Sequence, residues 1–332
     1  MKPIVSQDAD VLNSLRLATK NLGIELEDAV IKMGLPPDLL KTPDQFVPSL
    51  LFNSLFEYLA QDYHCHDLAL HAANLLQAPQ LGLPARVMSL SRNFKEALDK
   101  AAQYGAFYRD TGPWQHQVSD GLVTLFKPAN PFGSQHFRQR NLFGTAQMYQ
   151  LICQLSGNLW RPSRVSFSFP DPGARFTYTF HDFFQCDLAF NQAVDAIHFP
   201  EGYLEFNITS ADAYLLRGVE MHIEALQQEV MTGNDLLARA KLIINQRLSF
   251  ASCTLEELAS YMATTPESLS QHLAEQGLSF DDLLEQQISE KANYYLTEFH
   301  APAELILSAL MPNDEPRLNE LLVDKLEGKQ QW

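Results

Sequence analysis

The chain has 332 residues, 46% hydrophobic and 11% aromatic, enough for one large core or two ordinary ones, since a length over roughly 150 residues suggests two domains. A net charge of −16 argues against non-specific affinity for nucleic acid or anionic lipid, and no apolar run reaches the roughly 18 to 20 residues of a membrane span. The opening MKPIVSQDAD lacks a signal-peptide apolar region, which implies the cytoplasm; there Cys65, Cys153, Cys186 and Cys253, far apart and without a CxxC pair, read as buried thiols.

Along the first 60 residues Val11, Leu15, Leu17 and Leu22 recur at helical spacing, Gly34-Leu35-Pro36-Pro37 breaks the pattern, and Leu51, Leu55 and Leu59 resume it. Short helices in a bundle are expected. The most apolar stretch, SLLFNSLFEYLA, is interrupted by Asn53, Ser54 and Glu57. In YHCHDLALH, His64, Asp67 and His71 fall three and four apart, as metal ligands on one helical face would. Two imidazoles and one carboxylate do not close a site, and no CxxC or HExxH completes it, so a helix start with exposed polar groups is expected and no metal or other cofactor.

The segment GLGLPARVMSLSRNFKEALDKAAQYGAFY reads as a strand or loop leading into a helix, with Ser91 as its cap and Phe94, Ala97, Leu98, Ala101 and Ala102 inward. The alternation in QHQVSDGLVTLFK, turning at Asp120-Gly121, predicts a β-hairpin. A long helix over about 135–157, a strand at RVSFSF, a helix at FTYTFHDFF and a strand at AIHF follow. Together these predict an α+β domain, a helical bundle plus a mostly antiparallel sheet.

Charge is unevenly spread. Residues 86–175 carry 11 Lys+Arg against 5 Asp+Glu, whereas 176–235 carry 1 against 10 and 236–332 carry 7 against 15. In the basic island, Arg109, Lys127, His136, Arg138, Arg140, Arg161 and Arg164 are interleaved with Tyr104, Phe107, Tyr108 and Phe137. This set, with Tyr104, Tyr108, Arg109, His136 and Arg140 foremost, would suit a small anionic ligand held by cations and aromatic faces. The alternative is that the cations pair with the acids of 176–235.

Residues 213–231 place Leu216, Val219, Ile223, Leu226 and Val230 at spacings of 3, 4, 3 and 4, the seam of a short coiled coil. That pattern fits either a dimer contact or a helix packed on its own domain. The pattern breaks at Gly233-Asn234, which sets a first domain at 1–232 and a second at 236–332.

The second domain is expected to be all-α. In TLEELASYMATTPESLSQHLAEQGLSF, Thr254 and Glu257 form a capping box, Leu255, Leu258, Ala259 and Met262 give the first helix its inner face, and the chain turns at Ala263-Thr264. Thr265 caps a second helix with Pro266 at its first position and Gly277 past its end. Ser279 begins a longer helix striped by Leu283, Leu284, Ile288, Ala292 and Tyr295. This is the outline of a helix-turn-helix spanning 254–277.

The span 236–296 resembles the DNA-binding domain of the AraC/XylS family of bacterial transcription regulators, on ELASYMATTPESLSQHLAEQGLSFDDLL and the long helix after it. GLGLPARVMSLSRNFKEALDKAAQY, WRPSRVSFSFPDPG and FFQCDLAFNQAVDAIHF resemble, in order, the arabinose-binding-like effector domain of one branch of that family. The resemblance implies an effector-binding, dimerising first domain and promoter DNA as partner. It also implies arginines where this chain has Glu267, Gln271 and His272, and a basic turn where it has Ile288. A second helix-turn-helix would carry Gly-Phe where Leu310-Met311 stands, and aromatics and an arginine where Leu318, Glu320 and Leu322 stand; Asp324 adds an acid.

Three missing arginine–guanine pairs remove roughly 3–9 kcal/mol of a specific-over-non-specific margin of about 4–10. The residues left to face DNA are Thr265, Glu267, Ser268, Ser270, Gln271 and His272, of which Gln271 suits adenine and the serines suit phosphate. The sequence therefore reads as a regulator with weakened or partner-assisted DNA binding. The alternative is a non-DNA-binding derivative that senses an effector or modulates another regulator as a homodimer or heterodimer. GxSxG, Walker-type loops, GxGxxG and a Cys-His signature are missing from the sequence, which gives no reading as an enzyme.

Overall fold

The computed structural model describes residues 6–7, 9–36, 47–76, 82–108, 114–127, 138–231, 236–248, 253–262 and 264–310. By compactness the chain forms two units, one of Ser6–Leu26 with Phe46–Gln227, the other of Met1–Val5 and Glu27–Gln45 with Gln228–Trp332. No described helix is long and apolar enough to cross a membrane.

The larger unit is α+β. A short ladder pairs β1 (Ser6–Gln7) with β2 (Val47–Pro48), and α1 (Ala9–Asn21), α3 (Ser49–Asp62) and α4 (Leu68–Asn74) form the expected bundle. Leu51, Leu55 and Leu59 are buried as their spacing predicts, but Leu17 is 49% exposed. The inner face of α1 runs through Val11, Leu15 and Ala18 instead. The stretch expected to be a strand or loop is a helix, α5 (Gly82–Leu90), followed by α6 (Phe94–Tyr108). Pro84 falls in the first turn of α5, where its missing N–H has no helical partner to lose. Ser91 does not cap α6: its Oγ donates to Val87 O at 2.9 Å, and Asn93 Oδ1 accepts from Glu96 N at 3.0 Å in its place.

A five-stranded sheet runs β3 (Gln115–Ser119), β4 (Leu122–Phe126), β7 (Ala196–Pro200), β5 (Arg164–Ser166), β6 (Asp187–Ala189). The first three pairings are antiparallel and β5–β6 is parallel. Asp120 and Gly121 both take positive φ, as a two-residue turn requires. On one face Val123, Leu125, Val165, Ile197 and Phe199 are buried; on the other Thr124, Ser166 and His198 share hydrogen bonds. The long α7 (Arg138–Leu155) packs against α3 and α4 and against β7, and is buried on most of its surface. Trp160, Tyr149, Phe167, Phe169, Phe184, Phe190 and α8 (Ala174–Phe184) complete an aromatic core of mainly edge-to-face and tilted pairs.

The last helix of this group, α9 (Ala213–Met231), carries the heptad spacing. Leu216, Val219 and Ile223 pack with Val87, Leu90 and Tyr104 of α5 and α6, so at these three positions the spacing serves the domain's own core. The side chains of Leu226 and Val230 lie outside the described residues.

The other unit contains α2 (Leu26–Lys32, from Glu27 on) and the helices α10 (Leu236–Arg247), α11 (Leu255–Tyr261), α12 (Pro266–Glu275), α13 (Phe280–Phe299) and α14 (Ala303–Leu310). Gly34, at φ +71°, sits so close to Pro302 that a β-carbon there would lie 3.0 Å from its Cγ. The 232–235 boundary and Met311, Leu318, Glu320, Leu322 and Asp324 lie outside the described residues.

Candidate functional site

Two helices, α11 and α12, stand where the sequence predicts them, with the predicted caps. Thr254 and Glu257 close a reciprocal capping box, and Thr265 Oγ1 accepts from Ser268 N at 3.2 Å with Pro266 following. At the far end of α12, Gly277 N donates to Ala274 O at 2.9 Å and Leu278 N to Leu273 O at 3.0 Å, a Schellman closure that the positive φ of Gly277 allows. Leu258, Ala259, Leu269 and Leu273 face inward, joined by Leu283, Leu284, Ile288, Ala292 and Tyr295 of α13. Ile288, where the resemblance implies the start of a basic turn, is 1% exposed.

Thr265, Glu267, Ser268, Ser270, Gln271 and His272 are all exposed. Some of their hydrogen-bonding capacity is used locally. The Thr265 hydroxyl serves the cap, Gln271 Nε2 donates to Glu275 Oε1 at 3.4 Å, and His272 Nδ1 stands 3.3 Å from Ser268 O. Residues 254–280 hold no Lys or Arg and four acids, Glu256, Glu257, Glu267 and Glu275. Lys291 on α13 donates to Asn245 O at 2.7 Å, tying α13 to α10. The face can therefore offer hydroxyls and one amide to a partner, but no fixed cation.

Of the effector candidates, Tyr104 and Arg140 have described side chains, and each is buried. Tyr104 is 3% exposed in the α5–α6–α9 core, its hydroxyl 3.4 Å from Glu220 Oε1, which also takes the Lys100 ammonium. Arg140 is buried in the first turn of α7, far along the chain from Tyr104. Arg109, His136 and the side chain of Tyr108 lie outside the described residues. Other cations of the island meet partners within the fold: Lys127 lies 5.4 Å from the Trp114 ring and is attracted to Asp195, and Arg138 lies 4.8 Å from the Phe169 ring. Lys100, also within 86–175, pairs with Glu220, one of the 176–235 acids.

His64, Asp67 and His71 do not share a helix. α3 ends at Asp62, His64 has φ +51°, and Asp67 precedes α4. Asp67 is buried, not exposed. Burial pushes its carboxyl up, but hydrogen bonds from His71, Thr179 and Cys65 outweigh that and hold it at about 2.

Two further buried carboxylates went unread. Glu57 accepts the backbone N–H of Gln139 at the start of α7, while Gln139 Oε1 accepts from Ala69 N at 2.9 Å and its Nε2 donates to His66 O at 2.9 Å. Burial raises Glu57 to about 8 against the lowering pull of those amides and Arg138. Asp195 is raised by burial and accepts from Ser168 N and Oγ. An acid inside an otherwise apolar helical run, as in SLLFNSLFEYLA, was the available signal for Glu57.

Residues 23–207 match the family model described as the arabinose-binding domain of AraC transcription regulator, N-term. The ornithine utilization regulator of Pseudomonas aeruginosa is 27% identical over 286 residues, which are 84% of this chain and 81% of that protein. The crystal structure of transcriptional regulator CdpR from Pseudomonas aeruginosa aligns at a TM-score of 0.48 and 14% identity, covering 96% of this chain and 95% of that one. The match over more than half its length, centred on the helical bundle, the sheet and α7, makes this chain a member of the AraC family of transcription regulators.

Proposed function

We propose that this chain is a small-molecule-responsive transcription regulator whose first domain, 1–232, senses an effector, while the helix-turn-helix at 254–277 touches promoter DNA weakly or with the help of a partner. The observation that carries the second half is the exposed surface of α12: six outward residues, none of them Lys or Arg, on a domain with an excess of acids. Typical binders neutralise around 6–10 phosphates, and an acidic helix in the groove repels them. The effector half is supported by the family match over 23–207.

Fluorescence anisotropy of the full chain against random duplex at two salt concentrations tests this reading. A weak, salt-steep affinity is the expected result. Placing arginines at Glu267, Gln271 and His272 together is expected to raise affinity by tenfold or more and to steepen the salt slope by about 3. An unmodified protein that holds one operator at nanomolar Kd alone in physiological salt would overturn the weakened-binding half. No binding even at low salt would make the protein a non-DNA-binding derivative.

A further inference from the structure

Between α4, α7 and α8 lies a cleft of about 720 Å³, lined by Arg161 of the basic island and by His71 but by none of Tyr104, Tyr108, Arg109, His136 and Arg140. Tyr149 and Phe183, with ring centroids 5.8 Å apart, supply aromatic surface, and Cys153 lies beside them. Gln154, Asn158 and Gln185 also line the cleft.

Two charges of opposite sign share this cleft. Arg161 is held in place by two carbonyls, its Nη1 donating to Asn158 O at 2.9 Å and to Trp160 O at 2.7 Å. The rest of the guanidinium has no carboxylate within 4.0 Å among the described residues, and Asp182 has no cation within that distance. Arg161 and Asp182 therefore face one cleft without neutralising each other. A guanidinium and a carboxylate that line one cleft without pairing leave both charges for whatever enters it.

Two other lining residues are held by one buried carboxylate. Buried Asp67 takes hydrogen bonds from His71 and Thr179, both of which line the cleft, and its ionised carboxylate locks α4 to α8 at that point.

We infer that this cleft binds a small zwitterion, an α- or ω-amino acid, with its carboxylate on Arg161 and its ammonium on Asp182. The inference rests on the small-molecule-responsive reading above and gives it a site and a ligand class. A purely anionic ligand would bring its charge against Asp182, and a purely cationic one against Arg161. Only a molecule carrying both satisfies the cleft, its carbon chain lying on the Tyr149 and Phe183 rings.

The test is a thermal-shift plate on the full chain with the twenty L-amino acids and an ω-amino acid series from glycine to 5-aminopentanoate. Butanoate and butylamine serve as single-charge controls, with sugars and dicarboxylates on the same plate. A zwitterion is expected to raise Tm by about 5 °C at a hundredfold excess over Kd, with the single-charge controls silent. Arg161→Gln and Asp182→Asn, both at exposed positions, are each expected to leave the ligand-free Tm in place and to weaken the response at least about tenfold. A zwitterion response that survives both substitutions overturns the site. A response to sugars or dicarboxylates alone overturns the ligand class while the effector-responsive reading stands. A plate with no responsive compound counts against both.

Discussion

Glu57 sits buried in the middle of an apolar helix and takes the first amides of α7 on its carboxyl. A charge there would be costly, so the folded protein keeps the proton up to about pH 8, whereas the unfolded chain releases it near 4.5. The stability this group contributes is whole below pH 4.5 and is lost as pH rises through 8. Glu57→Gln keeps an acceptor for the Gln139 amide and removes the proton equilibrium. Denaturant unfolding of both proteins from pH 5 to 8 is expected to show the wild type losing stability relative to the variant, by up to about 1.4 kcal/mol per pH unit. The sequence displayed this carboxyl as an interruption of an apolar run. Its role depends on Gln139, 82 residues away, and no local pattern carries that pairing.

Helical caps and stripes were legible because they are local physics. Thr254, Thr265, Gly277 and Ser279 act where their neighbours within four residues say they should, and the inward stripe of α13 follows from period alone. Where the outcome depends on a partner, period is silent. The heptad of α9 fits a second chain or its own domain equally well, and at Leu216, Val219 and Ile223 it packs with α5 and α6, the former a helix masked in the sequence by its Gly-Leu-Pro opening. With Ile223 fully buried against α5 and α6, Ile223→Ala is expected to destabilise the larger unit by about 2–5 kcal/mol in urea unfolding. Sedimentation of the same variant is expected to show an unchanged oligomeric state. The exposed side of α9, with Tyr214 88% and Met221 57% exposed, gave no sequence signal because single apolar residues on surfaces are common.

Across the whole molecule, the hardest feature to read was which residues fold together. Residues 27–36 look like one more piece of an N-terminal bundle, yet they cluster with the C-terminal helices, and Gly34 lies against Pro302. Two constraints meet at Gly34: a positive φ that a side chain strains, and a neighbour at 3.0 Å that a methyl group would strike. Gly34→Ala is therefore expected to destabilise the C-terminal unit by about 1–3 kcal/mol. Amide hydrogen exchange in the full chain checks this, with faster exchange expected in α11–α13 and none gained in the interior of α7. The charge map was legible at this scale as a bare count, but its meaning was not: the cations of 86–175 are distributed over aromatic faces, carbonyls and buried acids.

That early loop of chain also governs how the gene can be divided. A fragment starting at Leu236, or a chimera that grafts 236–332 onto a foreign domain, would carry α10–α14 away from the Gly34 stretch that lies against Pro302. Such hybrids should inherit these helices in a loosened form unless residues 27–36 travel with them.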